Sequence, residues 1–122
     1  MQQIMMMRIE TEDYSVWYSL EDNTLYFRGS LRLNGIQEYV PVIQLLNQVV
    51  EQGKTAIIIN LCQLEFLNSS GISVLSKFVI RVRQKNNMQM VVQGSKAIPW
   101  QGKSLKNLQK LMPRLQLEWE AN

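Results

Sequence analysis

The 122-residue chain contains no histidine and a single cysteine, Cys62. Without an imidazole there is no neutral-pH base for a Ser-His-Asp or Cys-His hydrolase. One thiol and no histidine also fall short of the roughly four ligands of a structural zinc site. With one cysteine an intrachain disulfide cannot form, which fits a reducing compartment. Long apolar runs are missing too. Thr55-Ala56-Ile57-Ile58-Ile59 is among the longest, and it is the size of a strand, far from the roughly 20 residues of a membrane span. The start, Met1-Gln2-Gln3-Ile4-Met5-Met6-Met7-Arg8, lacks the basic, apolar and small-residue order of a secretory signal. The expectation is one soluble, cytoplasmic domain over residues 1–122, with 1–12 as a weakly ordered N-terminus, no cofactor and no metal.

Acid is also missing from one long stretch. Phe66 to Leu117 holds nine bases, Lys77, Arg81, Arg83, Lys85, Lys96, Lys103, Lys106, Lys110 and Arg114, and no carboxylate. The rest of the chain has four bases and all ten acids, so a net charge of +3 conceals a basic second half. Such a half suits nucleic acid, a phosphate or an acidic partner protein. Direct nucleic-acid binding is not expected, because helix-turn-helix spacing, the aromatic sheet motif of an RNA-binding domain and zinc ligands are all absent.

What is present reads as alternating strands and helices. Val16, Tyr18 and Leu20 share one face of Tyr14 to Leu20, and Leu25, Phe27, Gly29 and Leu31 share one face of Leu25 to Leu31. Glu21-Asp22-Asn23-Thr24 between them supplies a turn, so the pair predicts a hairpin. Ile36, Tyr39, Val40, Ile43, Leu46, Val49 and Val50 recur at helical spacing up to Gly53. Pro41 disfavours helix at Val40 and places the main helix start near Pro41, after a looser turn. Thr55 to Leu61 is apolar on both faces, as in a central strand covered on two sides. A helix from about Ile72 to Lys85 carries Ile72, Leu75, Val79 and Val82 inward. Met88 to Gln93 predicts a strand, Gly94 to Gly102 a loop, Ser104 to Met112 a helix, and Leu115 to Trp119 a last strand. The expected fold is α/β: a mixed, mostly parallel sheet of four to five strands, with the hairpin's first strand antiparallel at one edge and helices packed on it.

In such sheets the loops at the carboxyl ends of strands are the usual functional positions. Here the central strand exits into Leu67-Asn68-Ser69-Ser70-Gly71-Ile72. One reading is a helix N-cap, in which Asn68, Ser69 or Ser70 accepts hydrogen bonds from the first turn. The other is that a serine there carries a reversible phosphate, stabilised by the positive helix end and its free N–H groups. The stretch Asn60-Leu61-Cys62-Gln63-Leu64-Glu65-Phe66-Leu67-Asn68-Ser69-Ser70-Gly71-Ile72 resembles the strand, loop and helix start of STAS domains, the family of bacterial anti-sigma factor antagonists. The order of elements resembles that family along nearly the whole chain. The resemblance implies a STAS-like fold and a partner-switching regulator. It makes Ser69 the phospho-acceptor, with Ser70 the less favoured one, and Gly71 the residue that permits close approach. Asn60 and Asn68 depart from the family, which usually has aspartates there. The implied partners are a kinase-type anti-sigma factor or related serine kinase, which also supplies the ATP, and a serine phosphatase.

Lys77, Arg81 and Lys85 follow one another at i, i+4 spacing on the helix after the serines, with Val74 and Phe78 between them and the inward stripe. A solvated basic face is the plain account. If Val74 and Phe78 are partly exposed, they make an apolar centre beside a basic rim, which is how a protein interface is built. In the family that helix and the serine loop form the partner surface, so the candidate binding residues are Asn68, Ser69, Ser70, Gly71, Val74, Lys77, Phe78 and Arg81. Cys62 reads as a small buried hydrophobe, and Trp17, Trp100 and Trp119 as packing residues, with Trp100 in a loop where it can also make a contact. A Ser–Lys catalytic pair is disfavoured, since Lys77 lies about two helical turns from the serines. A non-phosphorylated STAS-like scaffold, or a domain that binds a small ligand, is the alternative.

Overall fold

The computed structural model describes residues 8–120. It has six strands: β1 (Arg8–Glu10), β2 (Tyr14–Ser19), β3 (Thr24–Leu31), β4 (Ala56–Leu67), β5 (Gln89–Ser95) and β6 (Gln116–Glu120). Its helices are α1 (Gly35–Glu38), α2 (Val40–Val50), α3 (Ser69–Arg83) and α4 (Gln101–Leu111). The hairpin forms as the alternation predicts, with Val16 opposite Phe27 and Tyr18 opposite Leu25. Pro41 is the second residue of α2, which follows the short α1 turn after the single residue Tyr39.

The six strands form one sheet in sequence order, β1 to β6, one strand more than the four to five expected. The additional strand is β1, whose three residues pair antiparallel with β2. It lies within the stretch expected to be weakly ordered, and Arg-Ile-Glu is too short to show a period. Residues 1–7 of that stretch lie outside the described residues. From β3 onward all pairs are parallel. Right-handed crossovers that always step the same way set the helices on one face of the sheet. Val16, Leu25, Phe27, Ile57, Ile59, Met90 and Val92 point into that face and meet Leu45, Leu46, Val79, Val82, Leu105 and Leu108 in the core.

The opposite face carries no helix, which corrects the expectation that the central strand is covered on both sides. Across this face Arg8, Trp17, Tyr26, Asn60, Gln93 and Glu118 stand in register from β1 to β6. Arg8 lies 4.7 Å over the Trp17 ring, which stacks on Tyr26 at 5.1 Å. Asn60 donates to Gln93 at 2.8 Å, and Gln93 donates to Glu118 at 3.1 Å. Cys62 lies on the same face, half-buried, where burial pushes its thiol up from the ordinary value.

β4 runs on to Leu67, past the expected end at Leu61, and α3 starts at Ser69, not near Ile72. Two register shifts against β3 give β4 one extra residue each, so its buried leucines fall three apart at Leu61, Leu64 and Leu67. That spacing hides a strand from a period-2 search. β5 pairs only as far as Asn60. Beyond it, Gln101 donates to the Leu61 and Leu64 carbonyls at 2.7 and 3.1 Å, and Trp100 donates to Leu64 at 3.1 Å.

Candidate functional site: the Asn68 to Gly71 helix start

The strand order never reverses, so the sheet has no switch-point crevice. The loops at the carboxyl ends of the strands remain candidate positions, and the β4 to α3 junction is the tightest of them. Asn68 is the N-cap of α3, and its Oδ1 accepts from the Gly71 N–H at 3.0 Å. The same oxygen accepts from the Tyr39 hydroxyl at 2.7 Å. Its Nδ2 donates to the Leu33 carbonyl at 2.8 Å, and its backbone N–H donates to Leu31 at 3.2 Å. Three segments therefore meet on one side chain: the end of β3, the α1/α2 junction and the start of α3.

Tyr39 is fully buried, and burial pushes its hydroxyl above the ordinary tyrosine value. It stays protonated near neutral pH and keeps donating to Asn68. Gly71 is buried against it: a Cβ there would collide with the Leu67 side chain and stand 2.7 Å from the Tyr39 oxygen. The N-cap account of Asn68 and the close-approach role of Gly71 are both met by this geometry.

Ser69 is exposed in the first position of α3, and its hydroxyl has no hydrogen-bond partner among the described residues. Ser70 is half-buried. The Gly71 N–H is capped, while those of Ser69 and Ser70 face no backbone acceptor and are free to meet an anion. A flexible hydroxyl thus sits on a rigid frame, next to the positive end of a 15-residue helix.

Of the other expected site residues, Lys77 is exposed, and Arg81 is half-exposed and paired with Glu51 at 3.0 Å. Val74 and Phe78 are each only 4% exposed, so they do not form a surface patch. They pack toward α1 and α2 instead, because the neighbouring helices of the same layer cover that side of α3, which a single-helix wheel does not show. Two more of the nine bases are engaged internally: Arg83 donates to the Leu111 carbonyl at the end of α4, and Arg114 donates to Met88, Arg83 and Lys85 carbonyls around the end of α3.

Phe66 and Arg32 are additions that sequence reasoning missed. Phe66 is exposed, three residues before Ser69, and Arg32 lies 4.5 Å over its ring. Only the register of the β4 extension places Phe66 beside the end of β3. On the uncovered face, Glu10, Glu12, Asp13, Glu65 and Glu120 line a depression of about 710 Å3 in which Arg28 is the one base. Five of the chain's ten acids therefore gather on this face. Among the described residues no Cys, Asp and Glu group could hold a metal ion, and no helix is long and apolar enough to cross a membrane.

No family model and no curated protein matches the chain. Solved structures do. A chain in the complex of the diguanylate cyclase SiaD with its activator SiaC from Pseudomonas aeruginosa matches at a TM-score of 0.70 and 11% identity, over 93% of this chain and 99% of that one. Apo-SiaC from the same organism matches at 0.70 and 11%, over 95% and 100%. An anti-sigma factor antagonist from Mycobacterium paratuberculosis matches at 0.64 and 19%, over 85% and 86%. The sheet, its N-terminal hairpin and the helices on one face are those of the STAS-like fold, and this chain has that fold.

Proposed function

We propose that the chain is a cytoplasmic, non-enzymatic regulatory module of a bacterial partner-switching system, similar to anti-sigma factor antagonists and controlled by phosphorylation of Ser69. The observation that carries this reading is the exposed, unbonded Ser69 hydroxyl on a loop locked by Asn68, Tyr39 and Gly71. A kinase-type anti-sigma factor or related serine kinase reaches the hydroxyl without unfolding anything. A serine phosphatase resets it. The partner surface comprises Asn68, Ser69, Ser70, Gly71, Lys77 and Arg81, with Val74 and Phe78 supporting it from beneath.

Phosphorylation adds about −1.5 to −2 charge. The helix end favours an anion by about 0.3–1 kcal/mol, so the loop keeps its conformation. Lys77 lies eight residues along the helix, about 12 Å from Ser69, too far to neutralise the phosphate. The new charge therefore acts on the docked partner through desolvation and repulsion.

The SiaC neighbours favour a second output. SiaC is the activator of a diguanylate cyclase, and a module of this kind can equally bind and activate an enzyme.

Incubation with candidate kinase-type partners and ATP, read by intact mass, tests the switch. One phosphate is expected on the native chain and none on Ser69→Ala, with partner binding weakened by the phosphate and the effect reduced by salt. Equal binding by Ser69→Ala and Ser69→Asp, with no phosphate acquired, would leave the scaffold reading in its place.

A further inference from the structure

Between α1, α2 and α3 lies an open apolar groove of about 180 Å3. Val74 and Phe78 form its floor, Ile36, Ile43 and Leu46 its walls, and Lys77 and Arg81 stand at its rim. Ile36 is 39% exposed, and Val40, one turn on, is 41% exposed. These are two of the few large apolar side chains that the fold leaves in water; Ile36 lines the groove, and Val40 is the first residue of α2.

The charges around it are unequal. Glu51 is engaged by Arg81, and Glu38 accepts from the Asn34 N–H at 2.9 Å. Lys77 has no ion pair among the described residues, and α3 and α4 contain no carboxylate. Among the groove's own lining residues the one unpaired charge is that of Lys77, and it is positive. Along α3 the groove runs from Val74 to Arg81, about 10 Å, the length of two turns of a docked helix.

We propose that this groove receives an amphipathic helix of the partner protein, which inserts one or two leucine-sized side chains between Ile36 and Phe78 and sets a carboxylate against Lys77. The inference deepens the partner-binding reading and rests on it. It assigns the groove to recognition and leaves Ser69, at the head of the same helix, to control.

Two synthetic helical peptides of about 15 residues serve as probes, both with leucines at i, i+3, i+4 and i+7, one flanked by glutamates and one by lysines. Titrated into the 15N-labelled full chain, the glutamate peptide is expected to shift the amides of Ile36, Ile43, Val74 and Phe78 and to bind about fivefold tighter than the lysine peptide. Lys77→Glu should reverse that preference. Ile36→Asp, at an exposed position, should weaken both peptides while leaving the thermal melt unchanged.

Shifts elsewhere, no shifts, or equal binding of the two peptides would overturn the proposal. So would a concentration-dependent dimer, seen by sedimentation, that buries the same residues without peptide, since the occupant would then be a second copy. Repeating the titration on Ser69→Ala separates the two readings. Peptide binding that persists there without any phosphorylation of the native chain retains the groove and discards the switch.

Discussion

Asn68 uses both ends of its amide. The oxygen faces two donors, Gly71 N–H and Tyr39 O–H, and the nitrogen faces the Leu33 carbonyl, which can only accept. An aspartate keeps the cap on Gly71 but sets a carboxylate oxygen against that carbonyl. Leaving the carbonyl without its donor costs about 1–3 kcal/mol. The helix end returns about 0.3–1 kcal/mol for the negative charge. Asn68→Asp is therefore expected to lose about 1–2 kcal/mol at pH 7. The deficit should shrink as the pH falls toward 4, where a protonated carboxyl can donate to Leu33 again. Urea midpoints of both chains at several pH values check this, and equal midpoints at pH 7 would contradict the role given to the amide. In the sequence the Asn for Asp difference reads as the loss of a charge beside Ser69. The structure gives it a positive reason, because the carbonyl it serves comes from a loop 35 residues away.

At the scale of elements, α3 and α4 cap each other. Arg83 in the last turn of α3 serves the end of α4, and Arg114, after α4, serves the end of α3. Both place a cation at the negative end of a helix. Arg114→Ala is expected to lower stability by about 1–2 kcal/mol, or roughly 4–8 °C in Tm for a chain of this size. Arg114→Lys should recover only part of it, because an ammonium cannot serve several carbonyls as a fork does. Thermal melts of the two variants decide the point; an unchanged Tm in Arg114→Ala would remove the cap. These two arginines were legible in the sequence only as members of a basic half. Their use depends on which helix ends the packing brings together. Gln101 is similar: a polar residue in the expected Gly94 to Gly102 loop turns out to open α4, fully buried, binding Leu61, Leu64 and the Ser95 N–H where β5 has left β4.

The whole molecule has a consistent response to alkali. Burial raises the Tyr14, Tyr18 and Tyr39 hydroxyls above the ordinary value, and the hydrogen bond to Asp22 raises Tyr26. From about pH 10 upward the native state keeps protons that the unfolded chain has lost. The stability these groups contribute is complete below that pH and is lost as the pH rises through the folded values. Tyrosinate absorbance of the folded chain is expected to rise at higher pH than that of the urea-unfolded chain, with the urea midpoint falling over the same range. Coincident titrations would show that the four tyrosines are not so held.

By itself the sequence determined the order of β2 to β6 and of α2 to α4, the hairpin, the start of α2 at its proline and the place of the serine loop. Each of these is written in local periods, turn residues and a short motif, and none needs a distant partner to be read. Tertiary structure decided the rest. The bulged extension of β4 follows from pairing with β3, the bare sheet face from crossovers that all step one way, and the burial of Val74 and Phe78 from the neighbouring helices α1 and α2. Nine bases in a row of sequence become a capping pair, an ion pair and a set of exposed lysines only once the helices are packed, because a charge is read by what stands next to it in space.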